Sequence, residues 1–237
     1  MMRLDKFLVE MEIGSRSQVK EYIKKGLVTV NNTLCKNADQ KIDETMDIVA
    51  FKGTELVYSK FRYYMFHKPQ GVVTATQDNH DKTVMDLLPS DIRKKDLFPV
   101  GRLDKDTEGL LLITDDGELA HMLLSPKRHV DKTYLVQLST PISEEDMNRL
   151  ETGVDIGEEK MTLPAKVSRL DDTYILLTIH EGKFHQVKRM LKAVDNEVVY
   201  LKRTTFGSLS LDEHLSKGAY RELTAEEVSM LKEEAGL

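Results

Sequence analysis

The chain has 237 residues, 40% hydrophobic and 31% charged, with a net charge of −6 and a single cysteine, Cys35. That composition fits a packed, soluble, globular protein of one large domain or of a small domain joined to a medium one, and no apolar run approaches the roughly 20 residues that span a bilayer. One cysteine excludes an intrachain disulfide framework and a thiolate metal cluster; seven scattered histidines with no HxH or HExxH pair argue against zinc, and an N-terminus with acids inside its apolar pattern, unlike a signal peptide, points to a reducing cytoplasm.

Along the chain, Leu4, Phe7, Leu8 and Met11 have the i, i+3, i+4, i+7 spacing of an amphipathic helix, with Gly14 as its end. Ser15 and Gln18 form a capping box for a second helix, whose apolar stripe is Val19, Tyr22 and Ile23 and whose C′ residue is Gly26. "LVTVNNTLCK" predicts a hairpin turning at Asn31-Asn32, and 46–51 predicts another short strand. Residues 53–60 are expected to be a linker. The acidic average hides two basic stretches: 16–25 has four basic residues and one acid, and 183–203 has six and two. Arg16, Lys20 and Lys24 share one face of the second helix, either a solvated face or one that tracks phosphates.

From 61 onward the pattern predicts a strand, a Pro-Gln-Gly turn and a strand across "YYMFHKPQGVVTAT", then a short helix in "TVMDLLP". Next come a strand at 110–114 stopped by Asp115-Asp116-Gly117, a helix stopped by Pro126, and a strand at 132–138. A helix from Ser143 to Leu150, a strand at 174–179, a helix at 185–194 and strand in "VVYLKRTTFGSLSL" follow, and Thr224 with Glu227 caps a final helix. Helices and strands interleave irregularly with hairpin signals, which predicts an α+β domain on a mainly antiparallel, mixed sheet.

The stretch "GRLDKDTEGLLLITDDG" at 101–117 admits three readings. Asp104, Asp106, Glu108 and Gly109 fit part of an EF-hand loop, but Leu112 offers no oxygen, Asp115 replaces the closing glutamate and no helix flanks the loop. An acidic turn with one glycine is an ordinary surface feature. Alternatively, Asp104 at the end of an apolar strand does chemistry, which requires a cation beside it. Lys188 borders the apolar stripe Val187, Met190, Leu191 and Val194 of a later helix, although a lysine there is commonly a snorkelling side chain.

"RLDKFLVEMEIGSRSQVKEYIKKGLVTVNN" resembles the S-four RNA-binding domain. "GRLDKDTEGLLLIT", "KTYLV" and "EGKFHQVKRML" resemble the three signature motifs of the ribosomal RNA pseudouridine synthases, in the RsuA-type branch that acts on small-subunit (16S) rRNA. The likeness spans nearly the whole chain. It implies an S-four-like α/β RNA-binding domain over 1–58, followed by a pseudouridine synthase catalytic domain over 61–237.

The resemblance also implies roles. Asp104 matches the catalytic aspartate, Lys188 the basic residue paired with it in a site closed to water, and Tyr134 the tyrosine that stacks on the uracil. Arg102 matches the residue that enters the space left by the flipped base, and Arg16, Lys20, Lys24 and Arg189 are expected to contact RNA. Thr107 and Gly109 are expected to shape the loop, His67 and Lys68 to face solvent, and His185 to touch phosphate or cap its helix. No metal and no cofactor are expected, because the isomerisation of uridine oxidises nothing and uses no high-energy bond. The expected partner is ribosomal RNA, free or in an assembling particle, bound by a monomer with no membrane association. Large-subunit rRNA as substrate, and a non-catalytic ribosome-associated RNA-binding protein, remain as alternatives.

Overall fold

The computed structural model describes residues 1–58, 60–93 and 96–237; Ser59, within the expected linker, lies outside them. The chain divides into two compact units, Met1–Lys60 and Phe61–Leu237. No helix among the described residues is long and apolar enough to cross a membrane.

The first unit begins with β1 (Met2–Arg3), α1 (Leu4–Glu10), α2 (Arg16–Lys24), β2 (Val28–Val30), β3 (Thr33–Leu34), β4 (Lys41–Ile42), β5 (Val49–Phe51) and β6 (Thr54–Leu56). β1 pairs with β4, and the others form a sheet in the order β3-β2-β5-β6. α1 closes at Glu10 and Met11, short of Gly14. α2 starts at the predicted capping box: the Ser15 N–H donates to Gln18 Oε1 at 2.8 Å, and the Gln18 N–H donates to Ser15 Oγ at 3.4 Å. Val19 and Ile23 of α2 join Leu4, Phe7 and Leu8 of α1 and Val28 and Val49 of the sheet in one core. Core packing on that side leaves Arg16, Lys20 and Lys24 exposed on the other. The expected linker is partly strand. Lys52 and Gly53, both at positive φ, turn the chain so that β6 pairs antiparallel with β5.

The second unit contains β7 (Tyr63–Lys68), α3 (Ser90–Arg93), β8 (Phe98–Val100), β9 (Glu108–Thr114), α4 (Gly117–Leu124), β10 (Lys132–Leu138), α5 (Glu144–Thr152), β11 (Lys166–Arg169), β12 (Tyr174–Ile179), α6 (Gln186–Lys192), β13 (Val198–Phe206), β14 (Leu209–Ser210), β15 (Tyr220–Glu222) and α7 (Ala225–Ala235). Its sheet runs β11-β12-β10-β13-β9-β7-β15, with β14 beside β13 and β8 beside β9. Every pairing is antiparallel except β13 with β9. β9 is buried along its whole length. Leu110 and Leu112 pack with α4 and α7, while Leu111 and Ile113 pack with Val84, Met85 and Leu88 on the opposite face. A strand covered on both sides reads as a continuous apolar run, which is why "LLLI" does not alternate.

Two expectations change here. "VVTAT" forms no strand, only a bridge between Val73 and Thr83, and its Thr74 hydroxyl bonds the backbone of Leu103. The helix expected in "TVMDLLP" is a single 3₁₀ turn, Met85–Leu87.

Candidate active site

The pairing register lines up one residue from each of four adjacent strands. Tyr134 on β10 faces Arg203 on β13, Arg203 faces Gly109 on β9, and Gly109 faces Lys68 on β7. The loop that enters β9 therefore ends where the parallel pairing with β13 begins, at Glu108. At Gly109, φ is +114° and a Cβ would overlap the Arg203 carbonyl oxygen, so only glycine fits this approach of two backbones. The expected shaping role of Gly109 is thus a steric one.

Three groups fix the loop 101–107. The Lys68 ammonium is fully buried and donates to the carbonyl oxygens of Asp104 at 2.9 Å, Thr107 at 2.8 Å and Pro69 at 3.1 Å. Thr74 Oγ1 donates to Leu103 O at 2.8 Å and accepts from Leu103 N–H at 3.1 Å. The Gly71 N–H donates to Lys105 O at 2.8 Å. Lys68 was expected to face solvent; a buried lysine needs partners, and this loop supplies them as backbone carbonyls. Burial is the larger influence on its pKa and pulls it down to about 8, against the opposing charges of Asp104, Asp106 and Glu108. His67 is buried as well, with Nδ1 at 2.7 Å from Leu215 O.

From the other side comes α6, seated by Val187, Met190, Leu191 and the following Val194 in the core against β10 and β12. This placement brings Lys188 Nζ to 3.2 Å from Asp104 Oδ2 and 2.5 Å from Asp106 Oδ1. Burial opposes the charge on Lys188, yet its bonds to Asp106 and Asp104 and their charges outweigh it and hold the amine above its ordinary pKa. Burial likewise works against ionised Asp106, and Lys188 prevails, holding that carboxyl below its usual range. The sequence offered Asp106 only as an acid of the EF-hand reading, not as a partner of Lys188. His185 precedes α6 in the left-handed conformation, makes no side-chain cap bond, and brings Nε2 to 3.6 Å from Asp104 Oδ1. Gln186, also missed, is buried and ties the segment together: it accepts from Lys183 N–H at 2.9 Å and donates to Glu181 at 2.8 Å.

Asp104, Tyr134, Lys188, Arg102 and Thr107 all line one cavity of about 660 Å³, within the roughly 300–1,000 Å³ range of small-ligand clefts. Tyr134 is buried, whereas Arg102 is exposed and forms no ion pair among the described residues. The Asp104 side chain keeps 26% exposure, so its carboxylate meets solvent at the cavity wall. Arg189 does not line the cavity. Its guanidinium is bonded within the protein, to Glu158 Oε1 at 2.7 Å, Phe184 O at 3.1 Å and Ile156 O.

The EF-hand geometry is not present. The flanking elements are β8 and β9, and the acids diverge: Asp104 and Asp106 meet Lys188, while Glu108 meets Lys217 at 2.8 Å and Tyr200 Oη at 2.6 Å. Chemically the site presents a partly solvated carboxylate beside an ammonium, at the wall of a cleft with a buried aromatic ring.

The family described as RNA pseudouridylate synthase matches residues 62–193, and the S4 domain matches residues 2–49. The chain is 51% identical to an uncharacterized RNA pseudouridine synthase, YtzG, of Bacillus subtilis, over 98% of this chain and 99% of the relative. It is 44% identical to ribosomal small subunit pseudouridine synthase A of Vibrio cholerae (97% and 99%) and 42% identical to the protein of that name in Escherichia coli (96% and 99%). A crystal structure of a pseudouridylate synthase superposes with a TM-score of 0.70 at 40% identity, covering 98% of this chain and all of the other.

Proposed function

Because this chain belongs to the RNA pseudouridylate synthase family, we propose that it converts a uridine of small-subunit (16S) ribosomal RNA to pseudouridine, with Asp104 as the carboxylate that does the chemistry. The isomerisation breaks the N1–C1′ bond, turns the uracil and joins C5 to C1′; the C5 proton is lost and N1 regains one. A carboxylate serves this sequence as nucleophile or as acid–base agent. The observation that carries the assignment is the pairing of Asp104 with Lys188 at the wall of the cavity that Tyr134 also lines. The ammonium offsets the negative charge of Asp104 in a cleft that RNA would dry. Tyr134 offers a ring face for the uracil, and exposed Arg102 is free to fill the gap left in the RNA once the base is flipped out. The choice of small-subunit rRNA is supported by the names of the Vibrio cholerae and Escherichia coli relatives. The first unit contributes RNA affinity through Arg16, Lys20 and Lys24.

Asp104→Asn tests the assignment in single-turnover reactions with enzyme in excess over transcribed small-subunit rRNA. Asparagine keeps the volume and the turn but is neither nucleophile nor base. The expected result is a rate at least about 10³-fold lower with RNA affinity retained. Turnover near the wild-type rate, with deamidation excluded, contradicts it.

A further inference from the structure

Phe184 is 73% exposed, yet it is not loose. Its ring stacks on the His185 imidazole with centroids 3.8 Å apart and planes 18° apart, and both residues line the cavity that holds Asp104. The backbone beneath is pinned: Phe184 O accepts from Arg189, Gln186 bridges Lys183 N–H and Glu181, and Lys183 Nζ donates to the carbonyls of Lys160 and Met161, each at 3.2 Å. One face of the phenyl ring is covered by His185 and the other is open. An exposed aromatic ring backed on one face by a second ring is the form of a base-stacking platform, since every nucleobase offers a π-face.

Flipping a uridine into the cavity strips its neighbours in the strand of a stacking partner. We propose that Phe184, backed by His185, stacks on a nucleobase that flanks the target uridine and so holds the strand open at the cavity mouth. This rests on the reading of the chain as an RNA-modifying enzyme acting at Asp104, because the flanking base exists only relative to that target. Tyr134, buried inside, is separate from this subsite; the platform binds sequence-tolerantly and sets where the strand bends, not the chemistry.

The chain contains no tryptophan, so Phe184→Trp introduces a single indole reporter at the platform. The probe is a short oligoribonucleotide spanning the uridine that the wild-type enzyme converts in transcribed small-subunit rRNA. Indole emission is expected to fall on binding, and the quench is expected to be lost when one nucleotide next to the target is made abasic but kept when the target itself is abasic. In parallel, Phe184→Ala is expected to raise the half-saturating RNA concentration about tenfold, with a smaller effect on the plateau single-turnover rate; Phe184→Tyr restores it and Phe184→Leu does not. Pseudouridine formation without quenching overturns the platform, as does a quench lost only with the target base, or full rescue by leucine. If no RNA is converted at all, the parent reading fails, which the pseudouridine assay reports independently of the indole, and the platform falls with it.

Discussion

The cations of α2 and those around Asp104 are the same residue types put to opposite uses. Arg16, Lys20 and Lys24 are exposed, and among the described residues the ion pairs nearby belong to Lys6 with Glu10 and Lys25 with Glu21 instead. Lys20 acts on Asp5 through space alone, and no side-chain hydrogen bond or ion pair among the described residues engages any of the three. In the second unit, Lys188 is held by two aspartates, Arg189 by Glu158 and two carbonyls, and Lys68 by the backbone of the loop it supports. A count of basic residues weighs these two sets equally. What separates them is whether the protein has already satisfied the cation.

The contrast predicts that the second set governs rate and the first governs affinity. The largest effect is expected from Lys188→Met, which leaves Asp104 and Asp106 without their cation: the single-turnover rate falls about 10²-fold, with RNA affinity changing little. A Lys188→Met enzyme that loses affinity but keeps its rate places Lys188 with the α2 set instead.

Lys68→Met comes next. It strands loop carbonyls that are buried against an apolar side chain, so unfolding stability drops by about 3 kcal/mol and activity falls as Asp104 loses its fixed position. The wild-type pH profile sharpens this. With a folded pKa of about 8 and an unfolded value of about 10.4, the unfolded chain holds a proton between those values that the folded chain has released. Titration of Lys68 therefore makes the fold more stable as pH rises through that window. Activity goes the other way, because a neutral amine has one fewer N–H for the loop. An alkaline limb in the rate near pH 8, without loss of stability, is expected. Lys132, also lowered to about 8, first by burial and then by Arg203, is the control: the limb should survive Lys132→Met. A rate that does not fall between pH 7 and pH 9 contradicts the role of Lys68.

The smallest effect on rate is expected from reversing Arg16, Lys20 and Lys24 to glutamate. Binding weakens and the slope of log affinity against log salt flattens by about 2 to 3, one phosphate contact per residue, while the rate at saturating RNA is retained. A folded triple variant with an unchanged salt slope makes the face a solvated surface only.

Legibility in the sequence followed the range of the interactions. The capping boxes at Ser15 and Thr224 and the apolar stripe of α6 are local, and the structure contains each of them. The fold class was legible from the irregular interleaving of helix and strand patterns with hairpin signals, and the sheet is mainly antiparallel as expected. β6 was missed because its turn uses Lys52 at positive φ, a conformation that few side chains signal. Lys68 was misjudged because the loop carbonyls that hold it, those of Asp104 and Thr107, lie 36 and 39 residues away, and no local pattern marks a lysine as buried. The pairing of Asp104 with Lys188 spans 84 positions; motif resemblance suggested it, while spacing alone left it open. Gln186 follows the left-handed His185 and braces Lys183 N–H and Glu181 with its amide, and no residue pattern of the sequence marks it.

The central claim is that Asp104 carries out the isomerisation of a small-subunit rRNA uridine. The most direct measurement is pseudouridine mapping of all ribosomal RNA from cells that lack this protein, complemented with the wild type or with Asp104→Asn. One small-subunit pseudouridine is expected to disappear with the protein, to return with the wild type and not to return with an Asp104→Asn protein present at equal level. Restoration by Asp104→Asn, or a missing pseudouridine in the large subunit instead, contradicts it.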